Sequence, residues 1–193
     1  MNIKTFDIDN RQIKIIKNFY LDKSDKELLY LTACNSTFKI KGKSAEDVQN
    51  RNNLKMESEL NMETLNQINL FGGERKSFFH SELNFSEYEI FRAYINLGLI
   101  SDYQEIHVDN YKPGCSKTLL VYCNRVWQEN WGGETFFYSN DSKEIKYISN
   151  IEPGKAVVFD GTIPHMAKVQ HNFCNNYRFT LAIKFVKRSN CFI

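Results

Sequence analysis

The chain has 193 residues, a length typical of one domain that can bury a sizeable hydrophobic core. Hydrophobic residues make up 42% and charged residues 25%, as in ordinary globular proteins. The formal net charge of +2 arises from interspersed signs, which argues against a dedicated nucleic-acid-binding protein. No hydrophobic run is long enough to span a membrane, so no membrane partner is expected.

The five cysteines are odd in number and include no Cys-x-x-Cys pair. A disulfide framework or a zinc site is therefore not expected, and the thiols are predicted to be reduced. The first residues, Met1-Asn2-Ile3-Lys4-Thr5, lack the hydrophobic region of a signal peptide. These features predict a cytoplasmic location.

In the N-terminal part, the sequence pattern predicts one strand, then helices, and then a further strand. Residues 13–20 are β-branched and apolar, as in a strand, and Ser24-Asp25-Lys26-Glu27 has the pattern of a capping box that starts a helix. Residues 41–60 are polar and charged, which is typical of a lid or of a solvated loop with no role. Residues 62–70 show weak helical spacing, and residues 76–83 are predicted as a strand.

From residue 88 onward the pattern is all β. Strands are predicted at residues 88–96, 106–109, 117–124, 134–138, 146–149, 156–160 and 178–187. Turn residues such as Trp131-Gly132-Gly133 and Glu152-Pro153-Gly154 separate them. We therefore predict one domain over 1–193 with a mainly β (α+β) fold, a sandwich or jelly roll. Helical support would occupy about 1–87 and the jelly-roll core about 88–187.

Two types of metal ligand lie close together in Gln104-Glu105-Ile106-His107-Val108-Asp109-Asn110. In a strand, His107 and Asp109 would share one face, and His165 would add a second imidazole from another strand. Two imidazoles and one carboxylate form the facial ligand set of non-haem Fe(II), which leaves positions open for oxygen chemistry. The alternative is a packed histidine beside a surface aspartate. His171 competes with His165, but it lies in a polar, loop-like stretch.

A candidate anion site follows the proposed ligands. Arg178 and Thr180 share a strand face, where a guanidinium and a hydroxyl can bind one carboxylate. A solvent-facing Arg178 paired with a surface acid fits the composition equally well. Thr118 and Tyr122 also share a face, and Tyr122 is either a donor to the same anion or a buried core tyrosine. Together the residues predict a mononuclear iron centre with a carboxylate-bearing cosubstrate.

These motifs resemble the Fe(II)- and 2-oxoglutarate-dependent dioxygenases, in particular the prolyl-4-hydroxylase-like branch. The resemblance covers roughly residues 88–185. Its matching segments are His107-Val108-Asp109-Asn110, residues 118–124, residues 131–136, Pro153-Gly154-Lys155, His165 and Arg178-Phe179-Thr180. It implies a double-stranded β-helix, which is a cupin-like jelly roll and agrees with the predicted strands.

The resemblance also implies roles for individual residues. His107, Asp109 and His165 would bind Fe(II), and Arg178 would bind the distal carboxylate of 2-oxoglutarate. Further cosubstrate contacts are implied for Tyr94, Thr118, Tyr122 and Thr180. Molecular oxygen would be the second cosubstrate, and ascorbate is a candidate accessory cofactor.

The implied reaction is hydroxylation of a substrate C–H bond with release of succinate and carbon dioxide. Asp109 favours hydroxylation over halogenation, because related halogenases carry a small residue at that position. The substrate would be a prolyl or other residue of a protein, or a free amino acid or other small metabolite. A non-catalytic jelly-roll module that binds metal or acts as a sensor is the alternative from another class. Residues 41–60, 125–131 and 166–177 are candidate substrate loops, and residues 166–177 form a longer segment than in the prolyl hydroxylases.

Overall fold

The computed structural model describes residues 1–41, 55–100, 102 and 104–188. The helices in these ranges are α1 (Lys23–Cys34), α2 (Met62–Gln67), α3 (Glu74–Ser81) and a 3-10 turn at Glu129–Trp131. The strands are β1 (Asn2–Ile8), β2 (Arg11–Lys17), β3 (Lys39–Lys41), β4 (Lys55–Glu59), β5 (Tyr88–Gly98), β6 (Ser116–Tyr122), β7 (Thr135–Tyr138), β8 (Ile145–Ser149), β9 (Ala156–Asp160), β10 (His165–Ala167) and β11 (Arg178–Lys187).

The strands form two antiparallel sheets. The large sheet has eight strands in the order β1-β2-β9-β6-β11-β5-β4-β3, and the small sheet has three in the order β10-β7-β8. An isolated bridge between His107 and His165 adds a further pairing beside β10. From β6 onward the chain passes from one sheet to the other four times, and it closes on itself as a jelly roll. The predicted mainly β, double-stranded β-helix fold is confirmed.

The side chains of the large sheet alternate between its two faces, and each face has a different environment. On β11, Phe179, Leu181, Ile183 and Phe185 pack into a hydrophobic cluster with Leu29, Phe78 and Phe79 of the helices. The intervening residues of the same strand, Arg178, Thr180, Ala182 and Lys184, line a cavity on the opposite face. A second hydrophobic cluster lies on that face and includes Leu120, Phe137, Phe159 and Ala182 from both sheets. One face of the sheet thus carries the main core, and the other carries the cavity.

Most strands predicted from residue 88 onward correspond to strands of the structure, but the strand predicted at residues 76–83 in the N-terminal part does not. This segment is α3, and its buried residues are Arg75, Phe78 and Phe79. The i, i+3, i+4 spacing of these three residues is helical, and the strand prediction did not take it into account.

The prediction of a strand at residues 106–109 was also wrong. His107 pairs only through an isolated bridge, in which its backbone N–H and C=O bond those of His165 at 3.0 and 2.9 Å. The chain then turns, and the Gly161 carbonyl accepts hydrogen bonds from the N–H groups of Asp109 and Asn110 at 2.7 and 3.0 Å. Backbone contacts between loops therefore hold this segment, rather than a regular ladder.

The N-terminal part contributes strands as well as helices. Strands β1 to β4 extend the large sheet at both edges, so this part does more than support the core. Helix α1 begins at Lys23 with Asp22 as its N-cap and no side-chain cap, so the capping box predicted at Ser24 does not form. Of the proposed lid at 41–60, residues 42–54 lie outside the described residues, while β4 pairs with β5.

The prediction that all the cysteines are reduced was wrong for one of them. Cys115 is disulfide-bonded, whereas Cys34, Cys123 and Cys174 are free. Cysteine count and spacing did not reveal this bond, because they do not show which thiols meet in space. Within the described ranges, no helix is both long and apolar enough to cross a membrane. A cytoplasmic location stays a prediction.

The aromatic core generates a stability prediction. The Phe79 ring contacts the rings of Phe19, Phe71, Phe78, Phe85 and Phe185. Phe79→Ala should lower the free energy of unfolding by about 3–5 kcal/mol, because it leaves a cavity among these rings. Phe91→Ala on β5 is the control, since Phe91 is 60% exposed and its loss should change stability by less than about 0.5 kcal/mol. Urea unfolding measures both, and equal effects would contradict this account of the core.

Candidate metal and cosubstrate site

The structure brings His107, Asp109 and His165 together. One potential ligand atom of each residue lies within 4.8 Å of those of the other two. His107 Nε2 is 4.0 Å from Asp109 Oδ1, and His165 Nε2 is 3.7 Å from Asp109 Oδ2. The isolated bridge sets the two histidines side by side, and the Gly161 carbonyl fixes the backbone of Asp109. Three groups of the predicted types therefore converge on one point.

Both imidazoles have the tautomer and the charge state that metal binding requires. His107 Nδ1 is 3.0 Å from the Glu105 carbonyl oxygen, and His165 Nδ1 is 2.9 Å from the Ile163 carbonyl oxygen. With Nδ1–H as the donor in each case, the lone pair of Nε2 faces the common point. Burial lowers the pKa of His107 to about 3 and also lowers the pKa of His165. Both rings are therefore neutral at physiological pH, the state in which histidine ligates a metal.

Asp109 supplies the negative charge. Thr118 donates its hydroxyl proton to Asp109 Oδ2 at 2.6 Å, and the Lys184 ammonium contacts the same oxygen. Burial acts to raise the pKa of Asp109, but the charge of Lys184 and these hydrogen bonds outweigh it and lower the pKa overall. Two neutral imidazoles and one carboxylate fit a divalent iron ion.

His171, the competing third ligand, lies elsewhere. Its ring stacks on Phe173 with 5.3 Å between centroids, and its backbone N–H donates to the Trp131 carbonyl oxygen. Within the described part of the chain, the ligand cluster contains His165 and not His171. The geometry therefore favours His165.

Arg178 lies inside the structure rather than at its surface. Its side chain is on the cavity face of β11, and the residue is only 5% exposed. Its Nε–H donates to the Gly133 carbonyl oxygen at 2.7 Å, and Nη2 donates to Thr135 Oγ1 at 3.1 Å. No carboxylate of the described residues forms an ion pair with it. A buried guanidinium without a countercharge is costly, and its unused N–H groups are available for an anion.

Two supports of Arg178 were not assigned from the sequence. The Asn124 side chain donates to the Tyr177 carbonyl oxygen at 2.7 Å and accepts from the Phe179 N–H at 2.9 Å, so it fixes the backbone on both sides of Arg178. Gly133 has a φ of +79°, and a Cβ there would lie 3.2 Å from Arg178 Cδ. Only glycine adopts this backbone freely and admits the guanidinium against its carbonyl.

The remaining predicted cosubstrate residues take different positions. Tyr94, Thr118 and Thr180 line the cavity. Tyr122 lies behind its wall, because its hydroxyl is fully buried among Thr135 and Ser149 at 2.9 to 3.1 Å. Tyr122 and Arg178 therefore meet through Thr135.

One cavity connects the histidines with Arg178. Its lining also includes Asn96, to which the sequence assigned no role, and Lys184, which the sequence offers as the next candidate for the anion site after Arg178. Asn96 Oδ1 is buried and has no hydrogen-bond partner among the described residues. Asn96 follows Tyr94 by two residues on β5, so the alternation of a strand could have identified it.

The comparisons with known proteins agree with this site. Residues 93–185 match the family model of the 2OG-Fe(II) oxygenase superfamily. These residues carry a 2OG-Fe(II) oxygenase domain. The chain is a 2-oxoglutarate-dependent oxygenase, and the cofactor and cosubstrates of the superfamily are Fe(II), 2-oxoglutarate and O₂. A comparison with curated proteins finds no match.

Solved structures share the fold at low sequence identity. A 2OG-Fe(II) oxygenase family oxidoreductase from Burkholderia pseudomallei is 14% identical, with a TM-score of 0.67 over 90% of this chain and 84% of that one. A prolyl hydroxylase from Trichoplax adhaerens, in complex with a peptide of hypoxia inducible factor, is 20% identical, with a TM-score of 0.65 over 90% and 83%. A prolyl-4-hydroxylase from Pseudomonas putida is 15% identical, with a TM-score of 0.60 over 91% and 92%.

The convergence of the three side chains generates a metal-binding prediction. His107→Ala, Asp109→Ala and His165→Ala should each strongly weaken Co(II) binding, because two remaining ligands do not define a facial site. His171→Ala is the matched control and should bind Co(II) as the parent does. Calorimetric titration without 2-oxoglutarate measures each affinity. If His171→Ala lost Co(II) binding and His165→Ala kept it, the third ligand would be His171 and not His165.

Proposed function

We propose that this chain hydroxylates a C–H bond of its substrate at an Fe(II) centre held by His107, Asp109 and His165. The observation that carries the proposal is the single cavity that joins these ligands to the buried, uncompensated Arg178. When bound, Fe(II), O₂ and 2-oxoglutarate supply the oxidising chemistry, with succinate and carbon dioxide as products. The protein supplies binding, orientation and exclusion of water.

The chain's own residues have separate tasks in this proposal. Arg178 binds the distal carboxylate of 2-oxoglutarate through its free N–H groups, and Thr180 on the same strand face adds a hydroxyl. Tyr94 and Asn96 flank the same cavity from β5 and help to orient the bound molecules. Tyr122 acts through Thr135, which it shares with Arg178, so it positions the guanidinium.

The substrate we propose first is a prolyl or other residue within a peptide. The support is similarity of fold to the Trichoplax prolyl hydroxylase, which was solved with a peptide. A free amino acid or other small metabolite is the second candidate, favoured by the polar and charged side chains that line the cavity. A module that binds metal without turnover would share the ligand cluster but has no need for Arg178.

Succinate formation tests the proposed function. The protein is supplied with Fe(II), 2-oxoglutarate and ascorbate under air, against panels of proline-containing peptides and free amino acids. The expected result is succinate formation that requires Fe(II) and rises with one panel, together with a substrate mass increase of one oxygen atom. Asp109→Ala is the blank. Parent protein that binds metal but forms no more succinate than the blank would support the non-catalytic module.

Arg178 generates a second prediction for turnover. Arg178→Ala should weaken 2-oxoglutarate binding by about 2–5 kcal/mol, because a buried charge-assisted pair is lost, while Co(II) binding stays near that of the parent. Arg178→Lys should recover only part of this loss, because an ammonium lacks the planar fork. Arg125→Ala is the control, since Arg125 is exposed and pairs with Glu27. An unchanged 2-oxoglutarate requirement in Arg178→Ala would move the anion site elsewhere.

A further inference from the structure

Lys184 occupies an unusual place beside the ligand cluster. It lies on β11, on the same cavity face as Arg178 and Thr180, and its side chain is only 17% exposed. Its ammonium contacts Asp109 Oδ2, and Thr118 Oγ1 is 3.3 Å away. A buried ammonium requires a countercharge, and here the countercharge is the carboxylate that also faces the two histidines.

The two oxygens of Asp109 have different surroundings. Oδ2 accepts from both Thr118 and Lys184. Among the described residues, Oδ1 accepts no hydrogen bond, and it lies 4.0 Å from His107 Nε2. The carboxylate is thus held through Oδ2, which also lies 3.7 Å from His165 Nε2, while Oδ1 keeps its lone pairs free on the side of His107. Groups that fix a ligand in this way commonly change metal affinity by about 10- to 100-fold.

The contacts of Lys184 argue against a role in binding a second anion. An ammonium has three N–H donors. Asp109 and Thr118 take two of them, and the Tyr94 hydroxyl is the third hydrogen-bonding neighbour. By contrast, Arg178 has only neutral partners and keeps donors free. Lys184 and Arg178 therefore differ in what they can bind.

We propose that Lys184 is a positioning residue that holds Asp109 for the metal and makes the site selective for divalent over trivalent ions. This inference rests on the proposed function, because it takes the ligand cluster to be a metal site. The repulsion between a fixed positive charge and a metal ion is proportional to the charge of the ion. A trivalent ion therefore loses more affinity than a divalent one. The device would favour the ferrous state that the reaction uses.

The test compares the binding of two metal ions of different charge, in the absence of turnover and of 2-oxoglutarate. Affinities for Co(II) and for Ga(III), the latter supplied as a weak chelate, are measured for the parent and for Lys184→Met. Removal of the charge should raise the ratio of Ga(III) to Co(II) affinity by about tenfold or more, given the strength of short-range charge interactions. Lys184→Arg keeps the charge, so its ratio should stay near that of the parent. Lys184→Gln removes the charge but keeps a hydrogen-bond donor, and it replaces Lys184→Met if the latter does not fold.

Lys187→Met is the matched control. Lys187 lies on the same strand, is more exposed and pairs with Glu87 outside the cavity, so its loss should leave the ratio unchanged. Equal loss of both affinities in Lys184→Met and Lys184→Gln would show a merely structural role and overturn the inference. A parent that binds neither ion would overturn the metal site itself, and the proposed function with it. A parent that binds Co(II), with an unchanged ratio in the charge-removing variants, would overturn only the role of Lys184.

Discussion

The alternation of side chains along β11 is the constraint on which the rest of the structure depends. Its odd-numbered residues, from Phe179 to Phe185, close the core against the helices, and its even-numbered residues form one wall of the cavity. The strand pairs with β5 over its whole length, with one register shift between Lys184 and Phe185, and with β6 over residues 180–186, so its register is held from both sides. A slip of one residue would turn Arg178 and Lys184 into the hydrophobic core, which would be costly. The fold and the site are therefore specified by the same segment.

The charges of Asp109, Lys184 and Arg178 form two distinct groups, and Lys55 is a further cation in the cavity lining. Asp109 and Lys184 are paired with each other, and this pair stands next to two histidines that burial keeps neutral. Arg178 is at the other end, and its hydrogen bonds go to a carbonyl and to hydroxyls. An anion that spans the cavity can therefore meet the metal at one end and the guanidinium at the other. This arrangement is what an elongated dicarboxylate such as 2-oxoglutarate requires.

The sequence predicted the residue types of the site better than the local structure that brings them together. His107 and Asp109 were placed on one face by assuming a strand, but an isolated bridge and the Gly161 carbonyl hold them. Such loop contacts join residues distant in sequence and leave no periodic signal. The direction of Arg178 could not be predicted, because β11 is buried on both faces and its apolar residues fit either one. The helix at 74–81 was missed because adjacent phenylalanines suit both periods over so short a segment.

The central claim is that the ligand cluster and Arg178 form one composite site, and thermodynamic linkage tests it most directly. The affinity for Mn(II) is measured with and without 2-oxoglutarate under anaerobic conditions, and the affinity for 2-oxoglutarate with and without Mn(II). Ligands that share one cavity should tighten each other's binding by the same factor, between about 5-fold and 150-fold. Affinities that do not depend on the other ligand would show two independent sites and would contradict the claim.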